Sequence, residues 1–267
     1  MAKNAQHPSL FSDDDLSASE PTDIVVWFSC GAASAVAAKL AIEKYGKDRI
    51  RVVNNMVLEE DIDNRRFLRD VQAWLGVQIE DCFNPKYPSG SAVSVWDYRG
   101  AMSYTDGAPC TLELKKEARY LWERNNPVAF HVLGFTADEQ SRHDAFVRSE
   151  RDNVLPVLID AGMTKGDCYR YLMDAGITLP RVYAMGLPNA NCIGCVKATS
   201  PTYWNLIREK WPHVFEQRAI QSRRIGARLV RVKNERIFLD ELDPNAQGRP
   251  LKDMDFECGV FCKGEAA

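Results

Sequence analysis

Ile24-Val25-Val26-Trp27-Phe28-Ser29-Cys30-Gly31-Ala32-Ala33-Ser34 decides how the rest of the chain reads. Its first five residues are uninterrupted apolar side chains, the pattern of a short strand buried on both faces. The next six are small, and an alanine-rich stretch follows to about Tyr45, where Gly46 closes a helix. A loop of small residues between a buried strand and a helix lets backbone N–H groups approach an anion, and the helix N-terminus adds a favourable dipole. Ser29 and Ser34 place a hydroxyl at either end of that loop. The same residues also read as a tight structural turn. Neither the dinucleotide glycine fingerprint nor the Gly-Lys-Ser loop of ATPases is present.

Outward from this segment, strand and helix patterns alternate. Residues 51–58 read as a second strand, 64–75 as a helix with Phe67, Val71 and Leu75 on one face, and 77–79 as a third strand. Residues 111–124 read as a helix and 129–135 as a further buried strand. Such alternation predicts an α/β fold, a Rossmann-like, doubly wound, mostly parallel sheet covered on both faces. After residue 200 the pattern changes to a helix over 201–210, a basic helix, and a hairpin of 228–232 and 236–239 around Lys233-Asn234-Glu235. Three regions are therefore expected: a polar, acidic tail over 1–22, an α/β nucleotide-binding domain over 23–200, and a C-terminal helical and hairpin appendage over 201–267.

The chain has 267 residues, 45% of them apolar, enough to bury a substantial core. A formal net charge of −3 excludes a general nucleic-acid coat. No run of about 18 apolar residues exists, and no basic start precedes an apolar stretch, so a membrane span and a secretory signal are not expected. The expected location is the cytoplasm. Eight cysteines stand at 30, 82, 110, 168, 192, 195, 258 and 262. In a reducing compartment, clustered cysteines read as metal ligands or redox thiols. Cys82 and Cys168 read as small buried hydrophobes. Cys192-Ile-Gly-Cys195 has chelate spacing, suited to one zinc or one iron–sulfur cluster. Between Arg208 and Arg236 lie nine Lys or Arg residues opposed by Glu209, Glu216 and Glu235. They read as a solvated basic face, or as a surface for the phosphates of a nucleic acid or a nucleotide.

Ser29-Cys30-Gly31-Ala32-Ala33-Ser34 resembles the PP-loop, Ser-Gly-Gly-x-Asp-Ser, of the adenine nucleotide α-hydrolase group, which includes ATP pyrophosphatases, tRNA thiolases and the APS and PAPS (sulfonucleotide) reductases. Cys30 stands where the first glycine usually lies and Ala33 where the aspartate lies. That aspartate helps hold magnesium in the ATP-cleaving members, and alanine cannot, which tilts the reading towards the reductases. The resemblance covers most of residues 23–262. Leu58-Glu59-Glu60 is similar to the acidic turn after the second strand. Gly134-Phe135-Thr136-Ala137-Asp138-Glu139, with Arg142, is similar to Gly-x-Arg-x-Asp-Glu of PAPS-reductase-like proteins, with Thr136 at or beside the arginine. The resemblance thus implies nucleotide contacts from Ser29, Cys30, Gly31, Ala32, Ala33, Ser34, Glu60, Asp138, Glu139 and Arg142.

Pro109-Cys110-Thr111, followed by Leu114-Lys115-Lys116, resembles the cysteine pair and lysine of cluster-bearing APS reductases, with Pro109 replacing one cysteine. The resemblance implies a [4Fe–4S] cluster on Cys110, Cys192 and Cys195, with Lys115 or Lys116 offsetting its charge and Cys258, Cys262 or a non-protein group on the fourth iron. A structural four-cysteine zinc fits the same residues. Phe256-Glu257-Cys258-Gly259-Val260 is similar to the Glu-Cys-Gly-Leu/Ile-His tail of sulfonucleotide reductases, whose cysteine attacks the sulfate sulfur. Phe261 replaces the histidine and Cys262 is extra. Cys258 therefore reads equally as nucleophile and as ligand, and Cys262 as a ligand.

The expected function is a PAPS/APS-reductase-like enzyme that binds an adenine nucleotide and performs sulfur chemistry with an iron–sulfur cluster and a thiol reductant. The alternatives are an ATP-dependent sulfur transferase of the tRNA-thiolase type, supplied by a sulfur donor and touching nucleic acid through 208–236, and a non-catalytic nucleotide-binding module with a structural metal.

Overall fold

A computed structural model describes residues 24–104 and 107–251. β1 (Ile24–Phe28) is buried along its whole length, and α1 (Ala32–Tyr45) follows directly. The alanines at 35, 37, 38 and 41 are buried, so the helix lies close against the sheet. It ends at Gly46, whose φ of 87° lies in the left-handed region that glycine adopts without penalty. β2 (Ile50–Asn55) and α2 (Asp63–Leu75) come next, and α2 buries Asn64, Phe67, Val71 and Leu75, a stripe at helical spacing.

β3 (Ile79–Cys82) lies further along the chain than the sequence pattern placed it. Residues 77–79 supply the apolar signal, but the parallel ladder with β2 runs from Ile79 to Cys82, with Glu80 and Asp81 less buried than the residues at its ends. β2 likewise stops at Asn55, three residues short of the expected end, where the chain turns into the acidic loop. α3 (Ala92–Arg99) is capped by Ser91, whose hydroxyl accepts the Ser94 N–H. α4 (residues 109–125) is α-helical at Pro109–Thr111, π-helical over Leu112–Glu117, and α-helical again over Ala118–Asn125. π-helical insertions concentrate at functional sites, and this one directly follows Cys110.

β4 (Phe130–Val132) and β5 (Val154–Leu155) complete a five-stranded sheet of order β3-β2-β1-β4-β5, all parallel. The chain winds from β1 outward through β2 and β3, then crosses back to the other side of β1. The crevice between the carboxyl ends of β1 and β4 is therefore the switch point, where open α/β sheets bind ligands. The chain is an α/β protein, as the alternation predicted. Beyond residue 200, helices Pro201–Lys210 and Pro212–Ile225 lead to an antiparallel hairpin, β6 (Val230–Val232) and β7 (Glu235–Ile237), joined at Lys233-Asn234. Glu235 belongs to β7, because Val232 pairs directly with it. No helix among the described residues is long and apolar enough to cross a membrane.

Three buried clusters result. One lies between the sheet and the helices α1 and α2, a second on the opposite sheet face under α4. The third stands beyond the carboxyl edge, combining Val57, Trp96 and Leu114 with Cys192, Cys195, Tyr203, Trp204 and Leu229.

Candidate nucleotide and thiol site

The loop from Ser29 to Ser34 crosses the carboxyl end of β1 and is cinched by Ser34. The Ser34 hydroxyl donates to the Gly31 carbonyl (2.9 Å), accepts the Ser29 N–H (3.1 Å) and lies 3.1 Å from the Ser29 hydroxyl. Ser34 is buried and therefore shapes the loop, while Ser29 remains exposed at its mouth. The first intrahelical bond of α1 runs from Ala35 N–H to Gly31 C=O (3.1 Å), so the amides of Ala33 and Ser34 have no carbonyl partner within the helix.

Two features of the loop were hidden in the sequence. Gly134, just past β4, approaches so closely that a Cβ there would stand 2.8 Å from the Ser34 nitrogen and 3.1 Å from the Ala33 carbonyl carbon. A glycine is needed to let the two loops meet. Tyr183, on the short helix Arg181–Ala184, places its hydroxyl 3.2 Å from the Ala32 N–H, which donates to it. A distant tyrosine thus occupies one of the amide positions that an anion would use, and no local pattern marks it.

Cys30 explains its own departure from the glycine of the PP-loop. Its φ is 56°, a left-handed conformation that costs an ordinary residue about 1–2 kcal/mol. The side chain is buried against Asn54, whose amide donates to the Phe28 carbonyl (2.8 Å) and lies 3.5 Å from the Cys30 sulfur. Burial, with the Glu60 charge adding to it, drives the thiol far above its ordinary pKa. Cys30 supports the loop from beneath and is not a thiolate.

The acidic turn after β2 divides its carboxylates among separate tasks. Glu59 caps α3, accepting from Ser91 Oγ (2.8 Å), Ala92 N (2.7 Å) and Val93 N (3.2 Å). Glu60 is buried and lies 3.7 Å from the Lys115 ammonium. Burial pushes its carboxyl pKa up, against the opposing pull of Lys115, Asn64 and Arg65. Asp61 pairs with Arg181 (2.7 Å), fastening the Tyr183 segment to the turn. Of the segment after β4, Glu139 accepts the Thr136 N–H (3.2 Å) and pairs with Arg142, while exposed Asp138 accepts the Lys165 N–H (3.3 Å). Glu139 and Arg142 form the local ion pair of a capped turn, beside the loop.

Cys192 and Cys195 are buried, and the turn between them depends on Gly194. Gly194 has φ of 69°, and a Cβ there would lie 3.0 Å from Val214 Cγ1 and 3.3 Å from Arg218 Cγ. The Cys195 N–H donates to Tyr203 Oη (2.8 Å), which fixes the turn against the helix Pro201–Lys210. The turn also joins the acidic loop, through Ile193 N–H to Glu59 C=O (2.8 Å) and Asn64 Nδ2 to Ala190 C=O (3.1 Å). Cys110, half-buried, packs against the same cluster. Cys110 and Cys192 are both electrostatic neighbours of the Arg218 guanidinium. Lys115 pairs with Glu60 and Lys116 with Glu150 (3.6 Å), and Arg218 is a further cation whose charge interacts with Cys110 and Cys192. Among the described residues no group of three or more His, Cys, Asp or Glu side chains is arranged to hold a metal ion. Cys258 and Cys262, the remaining expected cysteines, lie outside the described residues. Cys82 and Cys168 are buried, with thiol pKa values pushed up to about 12 chiefly by burial, as small core residues.

The basic segment is largely engaged within the protein. Arg223 pairs with Asp240 and Glu241, Arg224 with Asp97, and Lys210 with Glu209. Arg208 donates to the Leu242 carbonyl and Arg236 to that of Leu229, while Arg218 is buried.

No protein-family profile matches the chain, and no curated protein matches it. Among solved structures, the chain is similar to phosphoadenylyl-sulfate (PAPS) reductase from Candida auris in its phosphate complex, with a TM-score of 0.44 and 10% identity, over 64% of this chain and 81% of that one.

Proposed function

We propose that the chain binds an adenine nucleotide with its phosphates on the loop from Ser29 to Ser34, and performs sulfur chemistry on it as a sulfonucleotide-reductase-like enzyme. The observation that carries this reading is the meeting of that loop with Gly134 at the β1/β4 switch point, where the first-turn amides of α1 lack intrahelical partners. Glu60, Asp138, Glu139 and Arg142 are the further candidates for nucleotide contacts, and Ala33 leaves no carboxylate in the loop for magnesium. A sulfated nucleotide (APS or PAPS) is the substrate class this favours over ATP.

What supports a thiolate-bound group beyond the sheet edge is that Cys192 and Cys195 are buried in one cluster there and Cys110 packs against it. Cys110, Cys192 and Cys195 would hold a [4Fe–4S] cluster, with Cys262 as the candidate for the fourth iron. Such a cluster, when bound, would supply positive charge to offset that of a sulfated nucleotide. Cys258 is the candidate nucleophile: its thiolate forms a bond to the sulfate sulfur, the S–O bond to the nucleotide phosphate breaks, and the nucleotide leaves with that electron pair. An external thiol then releases sulfite from the enzyme S-sulfonate, forming a disulfide.

Calorimetry on Gly134→Ala tests the binding reading, because the added methyl must push the Ser34 backbone. Affinity for APS or PAPS should fall at least about tenfold, or ~1.4 kcal/mol, in a protein that remains folded. Unchanged affinity refutes the loop as the phosphate site. Incubation with APS and no thiol should add sulfite mass to the Cys258 peptide, and that adduct should be absent from Cys258→Ser.

A further inference from the structure

We infer that the hairpin of β6 and β7 is a docking surface for double-stranded DNA, entering its major groove with Arg231, Lys233 and Arg236 towards the phosphates. The inference does not depend on the function proposed above.

Residues 228–237 read Arg-Leu-Val-Arg-Val-Lys-Asn-Glu-Arg-Ile, four cations against one acid. The ladder pairs Val230 with Ile237, Arg231 with Arg236 and Val232 with Glu235. Successive side chains of a strand point to opposite faces, so the two valines, Ile237 and Glu235 share one face and the two arginines share the other. The apolar face is covered: Val230 is fully buried, and Val232 and Ile237 pack against the core beyond the sheet edge. The Arg231 backbone N–H donates to the Thr199 carbonyl (2.8 Å), which ties the ribbon to that core. The arginine face is exposed and carries no acid, because Glu235 shares the face of Val232.

Two features work against that face in the free protein. Arg231 and Arg236 stand directly opposite each other, and like charges so placed repel. Lys233 opens the turn with φ of 53°, a left-handed position that glycine or asparagine fills more readily. Among the described residues no acidic side chain pairs with Arg228, Arg231 or Lys233, whereas Arg223 and Arg224 have Asp240, Glu241 and Asp97. A row of closely spaced anions would relieve the repulsion, and duplex DNA carries one charge per about 1.7 Å of its axis. The shape of the surface selects the duplex. A two-stranded ribbon enters the major groove of B-DNA, whereas that of A-form RNA is too narrow for side chains to read. Single strands are held by aromatic side chains on which bases stack, and neither strand of the ribbon has one. Phe238, next in the chain, is half-buried and covered by Arg223 at 3.9 Å and Arg228 at 5.3 Å.

The test titrates the full chain into a labelled, mixed-sequence DNA duplex and reads fluorescence anisotropy at several salt concentrations. The proteins are wild type, the double variant Arg231→Gln with Lys233→Gln, Arg231→Glu, and Arg124→Gln, which removes an exposed charge elsewhere. With about four phosphates engaged, wild-type affinity should fall about a hundredfold between about 50 and 200 mM salt. The double variant should bind at least about tenfold more weakly at low salt, with a salt slope shallower by about two. Arg124→Gln should bind as wild type does. Arg231→Glu sets an acid opposite Arg236, so its urea midpoint should not fall while its DNA affinity does, which separates lost binding from lost fold. A wild-type protein that does not bind the duplex at low salt overturns the proposal. So does a double variant that binds as wild type, an equal loss in Arg124→Gln, or a stable Arg231→Glu protein with full affinity. Tighter binding of single-stranded DNA or of duplex RNA overturns it as well.

Discussion

Between the sheet and its covering helices, Ile24, Val26, Phe28, Ala35, Ala38, Phe67 and Val71 make a core of hydrocarbon in regular register. Beyond the carboxyl edge, Trp96, Tyr203, Trp204 and Ile207 share their core with Cys192, Cys195 and Arg218, and loops contribute as much as helices. In that second core the Tyr87 hydroxyl, the Trp96 indole nitrogen, Asn64 Oδ1 and Arg218 Nε are buried without a partner among the described residues. An unsatisfied buried polar atom costs about 1–3 kcal/mol, so a chain retains several only where something else uses them. The core between the sheet and α1 and α2 is built mostly of hydrocarbon, whereas the edge core mixes apolar side chains with buried polar atoms.

Substitutions should therefore act differently in the two regions. The largest effect is expected in the sheet core, where Phe67 is fully buried on α2 and packs on Phe28 with ring centroids 6.1 Å apart. Phe67→Ala should cost about 3–5 kcal/mol, read as a lowered urea midpoint. If nucleotide affinity per folded molecule fell as well, the two regions would not be separable. In the edge core, Gly194→Ala combines a left-handed φ with the close Val214 and Arg218 contacts. A loss of about 1–2 kcal/mol is expected from the conformation alone, and under the proposed cluster assignment reconstituted protein should also take up less iron than the wild type. Unchanged iron uptake in a destabilised protein would detach the turn from the proposed cluster.

Acid should attack the sheet side. On the face under α4, His131 is buried, its Nδ1 accepting the Trp27 indole N–H at 3.1 Å, with Arg151 and Arg119 close by. Burial, and those two cations, lower its pKa from 6.5 to about 3. Between these values the unfolded chain binds a proton that the native protein refuses, so this contribution is complete above pH 6.5 and is lost as pH falls towards 3. His131→Gln keeps an acceptor for Trp27 and cannot titrate, and should flatten that part of the stability–pH curve. An unchanged slope would place the acid sensitivity elsewhere.

The sheet was legible because its strands are short apolar runs and its helices carry stripes of period 3.6 that any buried α/β layer needs. Its misplaced part, β3, is the strand whose sequence, Ile-Glu-Asp-Cys, is half polar at an edge of the sheet. The loop Ser29–Ser34 and the Cys192–Cys195 turn stand out in the sequence because a run of small residues and a close pair of cysteines are each local patterns. Tyr183 and Asn54 do not, since each acts across the fold on a loop distant in sequence, and Gly134 was marked only as the start of a motif, without its approach to Ser34. Arg218 was hidden by its neighbours. Counted among nine basic residues it reads as surface, and only its position among Phe215, Ala219 and Ser222 marks it as facing inward. The basic face is exposed at Arg223, Arg224, Arg228, Arg231, Lys233 and Arg236, and Asp97, Asp240 and Glu241, which offset part of its charge through Arg223 and Arg224, lie outside the segment counted.

The smallest effect belongs to Cys30, where the two regions touch, and there opposing terms nearly cancel. Cys30 has a left-handed backbone, which glycine would adopt freely, and glycine is the residue that the PP-loop pattern carries there. Cys30→Gly should relieve about 1–2 kcal/mol of that strain. It also removes a buried thiol next to Asn54 and leaves a small void, a loss of similar size for a side chain of one heavy atom beyond Cβ. Net stability should therefore change by less than about 1 kcal/mol. Cys30→Ala separates the terms, because it loses the thiol and keeps the strain. The alanine variant should be less stable than the glycine variant by about 1 kcal/mol in matched urea titrations, with nucleotide affinity similar in both. If alanine proves equal to glycine, the loop carries no strain at position 30, and the cysteine is held there by its contact with Asn54 rather than in spite of its backbone.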